Sequence, residues 1–572
     1  MKKWIAICLS SILALSTLCT AGCLGYSESS SSSSSSGLEN EESTKSILNV
    51  GVCASWSINW IKEAAADFEA LYAGTSFENG KMGVELVLDW QIDRYKPTNL
   101  LTAMERYENT LYYVIENDYS SYLGARLLSP MTDAVTEAVY DENGDLALMD
   151  DGKGNLVSIE GKKASLSMMD RVAYGADKYY FEYDNNYYGA PWGVTLSGMF
   201  YDADLFSAKG YFFGADGKMG KTLADVESGN CGTGPDMRMN TADDGMPVTY
   251  NEFLALLQQM ARDEVIPFTW AGSTTYQRAK AYESVFANYE GVENYNLNFT
   301  ADVSQEQMEA AGVKKPYDYL ALQEGRKAGI QFFYDIVQGG YYSENAFAQS
   351  GMQAGELFIK SIATDHPIAF CMAASNWESA LKVYSDELVR ETGNPAYGYG
   401  KRNFKVFPIP NFIGVEGLAD QTNTDPREIF PGYATRSLAF IAEKNSCKNP
   451  TVQKHLAKLF LQFSASRKQA VKFLKNSNVM SMYDFTITDE ESQTLTKYTQ
   501  DICRYLKEGA VIVPHSETSE DRGEKLLFQP SVITASLSTK IYHDVPSFFR
   551  DNPNMTVAEC FEKVQYVVRK LH

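Results

Sequence analysis

Positive charge is what this 572-residue chain is short of. It carries 51 Lys and Arg against 73 Asp and Glu, a formal net charge of -22. Such an acidic surface repels a phosphate backbone, which excludes nucleic acid as a partner. It also repels anionic polysaccharides as non-specific targets. Histidine is scarce: His366, His455, His515, His543 and His572 are scattered, with no HExxH or HxxxH spacing, so no zinc site is expected. No GxSxG elbow, P-loop or GxGxxG fingerprint occurs. Beyond the amino terminus, no segment is long and apolar enough to span a bilayer. Of nine cysteines, Cys8, Cys19 and Cys23 lie in the first 23 residues. The other six (Cys53, Cys231, Cys371, Cys447, Cys503 and Cys560) are far apart and form no CxxC pair. They read mostly as small buried hydrophobes, and spacing leaves any disulfide pairing open.

What is present starts at the amino terminus. Lys2 and Lys3 precede an apolar run, Trp4 to Leu18, that is too short for a spanning helix but right for a secretory signal. Thr20-Ala21-Gly22-Cys23 then reads as a lipobox, predicting removal of residues 1–22 and lipidation of Cys23. An ordinary cleaved signal with free release is the alternative. Loss of Lys2 and Lys3 takes the net charge to -24. Residues 23–46 hold an uninterrupted serine tract, Ser29 to Ser36, flanked by Glu28, Glu39, Glu41 and Glu42. Such a segment has nothing to bury and serves as a flexible tether or a simple disordered terminus. The expected location is the outer face of the cell membrane, held by the lipid.

About 525 residues then remain, too many for one core and suited to two large lobes or several domains. The chain is 44% hydrophobic, enough to fill such cores. Ile47 to Val52 reads as a strand. Ile61, Ala64, Ala65, Phe68 and Leu71 then share one helical face. Further strands follow at Val84 to Leu88 and Leu111 to Ile115. Strands alternating with helices predict an α/β fold with a mostly parallel sheet, whose ligands bind beyond the carboxyl ends of the strands. That rule points to Trp56 and Asn59 after the first strand and to Asn117 and Asp118 after the third. Thr249 with Glu252 forms a capping box ahead of a helix, and Asn143-Gly144 marks a hairpin turn. Tyr201 and Phe206 are expected in the core.

Several segments, in this order, resemble one family. Residues 189–206 contain Tyr201-Asp202-Ala203-Asp204-Leu205-Phe206. Residues 247–253 read Pro-Val-Thr-Tyr-Asn-Glu-Phe. Ile368 to Leu381 contains Ser375-Asn376-Trp377-Glu378, and Phe404 to Pro410 and Ser437 to Phe463 follow. Together these resemble the extracellular solute-binding proteins that serve carbohydrate ABC importers. The resemblance spans most of residues 47–570, interrupted by insertions at 140–185, 211–246, 285–345 and 415–430. It implies a two-lobe, periplasmic-binding-protein-like fold with a multi-crossing hinge. Lobe 1 would hold 47–190 and 432–510, and lobe 2 would hold 191–431 and 511–572. Closure of such lobes on a ligand is a hinge motion.

The resemblance implies a monomeric binding protein without catalytic residues, delivering a sugar or oligosaccharide to ABC permease subunits. Aromatic rings accommodate the C–H faces of sugars while polar side chains satisfy the hydroxyls. Trp56, Trp192 and Trp377 fall on loops that the family places in the cleft. Trp270 and Tyr433 stand second, and Trp60 and Trp90 are assigned to packing. Asp118 is the leading polar residue, ahead of Asn59, Asn376 and Glu378. No cofactor is expected, with one structural ion in question. Asp236, Asn240, Asp243 and Asp244 place oxygen donors in a glycine-bearing loop that suits calcium, or else form an Asx-rich surface turn. The rival functions are a surface glycan-binding protein without a transport role and a carbohydrate-active enzyme with paired carboxylates. Amino-acid and peptide ligands also stay open.

Overall fold

The computed structural model describes residues 43–53, 55–90, 95, 97–115, 119–273, 275–433, 437–444, 449–514 and 545–570. Strand β1 (Ser46–Val52) leads through the helix Ile58–Leu71 to β2 (Val84–Asp89) and β3 (Leu111–Tyr113). The helix buries Trp60, Ile61, Ala64, Ala65 and Phe68, nearly the face the sequence periodicity predicts. Short β4 (Leu128–Ser129) and the pair β5 (Phe181–Tyr183) and β6 (Asn186–Pro191) complete the first lobe's outward run. After Trp192 the chain enters the second lobe as β7 (Gly193–Asp202), whose ten residues are all buried. The second lobe adds β8 (Ile266–Trp270), β9 (Ile368–Ala374), β10 (Phe404–Phe407) and β11 (Ile429–Tyr433). The chain returns to the first lobe as β12 (Leu438–Ala442). It re-enters the second lobe as β13 (Met480–Ser481) and β14 (Val511–Pro514).

The first sheet has the order β2-β1-β3-β12-β6-β5, with β4 also on β12. The second runs β8-β9-β7-β11-β14, with β10 and β13 also on β7. Both sheets are mixed rather than mostly parallel. β1 runs parallel to β2 and β3, but β12 lies antiparallel to β3 and β6. β7 is antiparallel to β9, β10, β11 and β13. The physical reason is the hinge: strands that carry the chain from one lobe to the other enter their sheets from the opposite end.

β7 organises the second lobe by its period of two. Met199 and Tyr201 face a core with Phe253, Phe268 and Phe370, while Val194, Leu196 and Phe200 face a core with Trp377, Phe404 and Tyr498. Tyr201 and Phe206 are buried with ring centroids 4.5 Å apart, as expected. The helix Tyr250–Arg262 starts with the predicted capping box. Glu252 N–H donates to Thr249 Oγ1 at 3.2 Å, and Thr249 N–H donates to Glu252 Oε2 at 3.0 Å. The predicted turn at Asn143-Gly144 forms, with Asp141 N–H donating to the Asp145 carbonyl at 2.9 Å. Gly144 sits at φ 79°, where an added Cβ would lie 2.6 Å from Arg171 Nε.

One expected boundary moves. Residues 480–510, assigned to the first lobe from the resemblance, side with the second. β13 pairs with Gly193 and Val194 of β7. The helix Lys497–Lys507 packs against β10, with Tyr498, Ile502 and Tyr505 in the second lobe's core. That helix is strongly two-faced, and the apolar stripe follows the Phe200 and Phe404 surface. Cys53, Cys231, Cys371 and Cys560 are buried and Cys503 is partly buried; Cys447 lies outside the described residues.

Candidate functional site

The strand directions define a cleft. β6 runs parallel to β1, β2 and β3, so its carboxyl end at Pro191, where the chain leaves for the second lobe, lies at the carboxyl ends of all three. β7 begins at the same crossing and is antiparallel to β9 and β11. The carboxyl ends of β9 and β11, and of their parallel neighbours β8 and β14, therefore point back to it. In both lobes the ligand-bearing ends of the strands meet the hinge.

An aromatic cluster packs the crossing. Trp192 is 5% exposed, and its Nε1 donates to the Val114 carbonyl at 3.2 Å. Trp56 stacks on it at 4.9 Å, Tyr113 meets it edge-on at 5.3 Å, and Phe473 lies 5.8 Å away. Trp192 N–H also donates to the Ser437 carbonyl at 3.2 Å, tying the outward crossing to the return one. Beside this cluster, the turn Ser55–Ser57 of the first lobe packs against the short helix Trp377–Ala380 of the second. Ser379 Oγ donates to the Ser477 carbonyl at 2.6 Å.

No protein-family model matches the chain, and no curated protein matches it in sequence. Solved structures do. RafE from Streptococcus pneumoniae aligns at 12% identity with a TM-score of 0.51, covering 93% of this chain and 100% of that one. A chitin oligosaccharide binding protein aligns at 13% identity and 0.50, covering 92% and 98%. The bacterial solute receptor AcbH aligns at 12% and 0.50, with the same coverage. The fold is that of the two-lobed solute-binding proteins. Among the described residues, no helix of this solute-binding fold is long and apolar enough to cross a membrane.

The predicted cleft residues separate into three groups. Trp56 is partly exposed, Asn59 is exposed on the first turn of its helix, and Asn376 is partly exposed ahead of Trp377. These keep exposed surface beside the crossing. Trp192, Trp270 and Trp377 do not present a free face, which corrects their assignment as ligand contacts. Trp192 is packed in the hinge cluster. Trp270 is fully buried against Tyr342 and Phe347. Trp377 sits among Phe200, Phe358, Phe404 and Tyr498 with centroid distances of 4.9–6.4 Å. Each is a large apolar side chain that neighbouring strands and helices enclose. Asp118 and the Tyr433 side chain lie outside the described residues, as does Cys23.

Two residues at the cleft end of β2 were missed. Trp90, assigned to packing, is 41% exposed, with Lys62 Nζ 4.7 Å from its ring centroid. Asp89 precedes it, its Oδ2 accepting from the Tyr95 hydroxyl at 2.5 Å; that hydroxyl in turn accepts from Asn109 Nδ2 at 2.6 Å. The strand-end rule holds for β2 as for β1 and β3: Asp89 closes the strand and Trp90 follows it.

Glu378 is a different kind of polar group. It is 3% exposed, its Oε2 accepts from Thr496 Oγ1 at 2.8 Å, and Oε1 has no hydrogen-bond partner among the described residues. Burial pushes its carboxyl up to about 7, against the pull of the Thr496 hydroxyl. The acidic loop contains Asx-type hydrogen bonds. Asp243 Oδ2 accepts from Asp236 N–H and Asp244 Oδ2 from Asn240 N–H, both at 2.8 Å, so the carboxylates fold back on the loop's own amides. Asn240 is exposed. Among the described residues, no group of three or more His, Cys, Asp or Glu is placed to hold a metal.

Two outcomes follow from this packing. Trp377→Ala empties a core site, so urea denaturation should show a loss of about 3–5 kcal/mol. Ligand affinity of the folded variant should stay unchanged; an affinity loss at unaltered stability would return Trp377 to the site. For Glu378, the unfolded chain releases its proton near 4.5 while the folded chain holds it to about 7. Stability at this site therefore falls as pH rises through that window, by up to about 3 kcal/mol. Glu378→Gln should flatten the wild-type decline between pH 5 and pH 8, read by urea midpoints at both. Parallel curves for the two proteins would contradict it.

Proposed function

We propose that the chain is the substrate-binding lipoprotein of an ABC importer, capturing a sugar or short oligosaccharide between its lobes and passing it to a membrane permease. The observation that carries this reading is the end of β2. An exposed tryptophan stands next to a carboxylate there, on the side of the lobe that faces the crossing. Trp90 offers a flat apolar face for a sugar ring, and Asp89 accepts hydroxyl protons. In this reading Trp56, Asn59 and Asn376, each with exposed surface beside the crossing, add further contacts. The neighbours support a sugar as the ligand class: RafE has been solved with raffinose, another binds chitin oligosaccharide, and AcbH is described as preferring b-D-galactopyranose. In this reading Cys23 carries the lipid that holds the protein at the membrane, and the serine tract spaces the lobes from it.

Closure on the ligand needs no catalytic group. The three crossings, near Trp192, between β11 and β12, and before β13, form a hinge about which the lobes rotate. A closed state buries the sugar and presents both lobes to the permease.

The test is a thermal-shift screen of the purified chain against mono- and oligosaccharides, with the sugar recovered and analysed afterwards. A ligand bound only by the folded state raises Tm. We expect a shift with intact sugar, and Trp90→Ala should weaken that binding by on the order of 1–3 kcal/mol. A cleaved sugar would instead assign the protein to the carbohydrate-active enzymes. Absence of any shift across the panel would remove sugar as the ligand class.

A further inference from the structure

Charge is spread unevenly along this acidic chain. Residues 444–483 hold eight Lys and Arg and no Asp or Glu, although acids outnumber bases 73 to 51 overall. The run starts where β12 ends. β12 is antiparallel to β3 and β1 is parallel to β3, so the carboxyl end of β12 lies with the amino ends of β1 and β3. Ala442 N–H donates to the Thr110 carbonyl at 2.8 Å, and Thr110 N–H donates to the Asn49 carbonyl at 3.1 Å. This end of the first lobe faces away from the crossing, about 20 Å from it along β1.

A surface groove of about 610 Å³ lies there. Lys444, Lys454, His455 and Lys458 line it with Tyr107 and Thr451, against a single carboxylate, Glu443. The helix Pro450–Ser464 carries Lys454 and Lys458 one turn apart, and its first turn, with Thr451, adds the positive end of a helix dipole. Several of these cations are matched. Lys454 Nζ lies 2.8 Å from Glu443 Oε2, Lys458 Nζ 2.5 Å from Asp133 Oδ2, and His455 Nε2 3.2 Å from Asp150 Oδ2. Lys444 is not. It is exposed, with its Nζ 5.8 Å from the Tyr107 ring centroid, and it makes no ion pair among the described residues. Arg126 is alike, exposed and without an ion pair among the described residues. Glu443 N–H donates to the Leu127 carbonyl at 2.7 Å, so Arg126 and Lys444 each stand one residue beyond the same hydrogen bond. Elsewhere at this end the charges are mixed: Lys81 pairs with Glu78 at 3.2 Å, and Arg106 stands between Glu105 and Glu108 in the chain. Two unmatched cations at one place, in a chain with carboxylates to spare, point to an anion from outside the fold.

The chain enters the first lobe at this same end. Met82 N–H donates to the Thr44 carbonyl at 2.9 Å, and Ser46 N–H donates to the Gly83 carbonyl at 3.0 Å. Glu78, just ahead in that loop, accepts at 3.0 Å from Asn449 Nδ2, the cap of the helix Pro450–Ser464. An anchor on Cys23 is therefore attached here, beside the groove, with 20 residues of chain between Cys23 and Ser43.

We propose that this end of the first lobe is a membrane-facing site that binds the phosphates of anionic phospholipid headgroups. Lys444 and Arg126 meet headgroup phosphates, the one as a point charge and the other as a planar fork. The groove beside them, with Lys454, Lys458 and Thr451, admits the rest of a headgroup. The inference rests on the lipoprotein reading, which supplies the bilayer and turns this end toward it. Exposed cations suit a surface that presents many phosphates at once, whereas a small free anion calls for an enclosed site. The chain's overall acidity does not oppose this, because charges more than about 8 Å away are largely screened at physiological ionic strength.

The experiment is vesicle co-sedimentation of the full chain carrying Cys23→Ser, which has no lipid of its own whether or not the lipobox reading holds. Vesicles of phosphatidylcholine alone are compared with vesicles that also contain phosphatidylglycerol, so that insertion of the apolar amino-terminal run cancels. We expect binding that needs phosphatidylglycerol and fades at high salt. Lys444→Glu should weaken it at least five-fold, and Lys444→Glu with Arg126→Glu further, with unchanged Tm showing that both variants fold. Lys475→Glu makes the same charge change on the helix Arg467–Ser477, which packs against the turn Ser55–Ser57 at the crossing end, and should leave binding intact. Trp90→Ala should leave it intact as well, which separates this site from the sugar reading. Equal binding to the two vesicle types, or an equal loss in Lys475→Glu and Lys444→Glu, overturns the proposal. So does a saturable rise in Tm with glycerol phosphate and no vesicle binding, which would assign the groove to a soluble phosphate.

Discussion

The indole of Trp192 is held where the chain leaves one lobe for the other, and both lobes are arranged around that fact. Its ring lies against Trp56, Tyr113 and Phe473, its Nε1 reaches the Val114 carbonyl, and its backbone N–H reaches Ser437 on the returning segment. Two crossings are therefore tied at one buried point. That constraint sets the strand directions on either side, and the strand directions decide which residues look into the cleft.

The consequence for function is a division of labour among aromatic residues. The largest ones nearest the hinge are committed to packing, because a crossing strand has both faces covered and cannot expose a ring. β7 is the extreme case, buried along its whole length. Aromatic surface for a ligand is left to strands nearer the sheet edge. β2 is the terminal strand of the first sheet, so the residue just past it has a neighbour on one side only. Trp90 is exposed for that reason, and Asp89 beside it is held by Tyr95 rather than buried by a second strand.

Much of the architecture was legible in the residues themselves. The spacing of Ile61, Ala64, Ala65 and Phe68 predicts a helix that forms and buries that face. Thr249 and Glu252 predict a cap whose two hydrogen bonds are present. The acidic loop was open between calcium and an Asx-rich turn, and its carboxylates bond their own backbone amides. The tryptophans were not legible in the same way. Trp192, Trp270 and Trp377 each sit beside a strand end, the right place for a ligand contact. Yet the direction of a side chain at a strand end depends on the neighbouring strand and helix, which sequence spacing does not encode.

What the sequence determined by itself was local or compositional. Periodicity set the first strand and helix, hydrogen-bonding side chains set the cap and turn, and the order of motifs implied two lobes. What only the tertiary structure decided was non-local. It turned the sheets mixed, moved residues 480–510 to the second lobe, buried three of the expected ligand tryptophans, and exposed Trp90. It also brought Arg126 and Lys444 to one end of the first lobe, although 318 residues separate them in the chain. The physical reason is the same throughout. Backbone hydrogen bonds and helical faces are satisfied within a few residues, whereas burial is settled by whatever distant surface arrives to cover them.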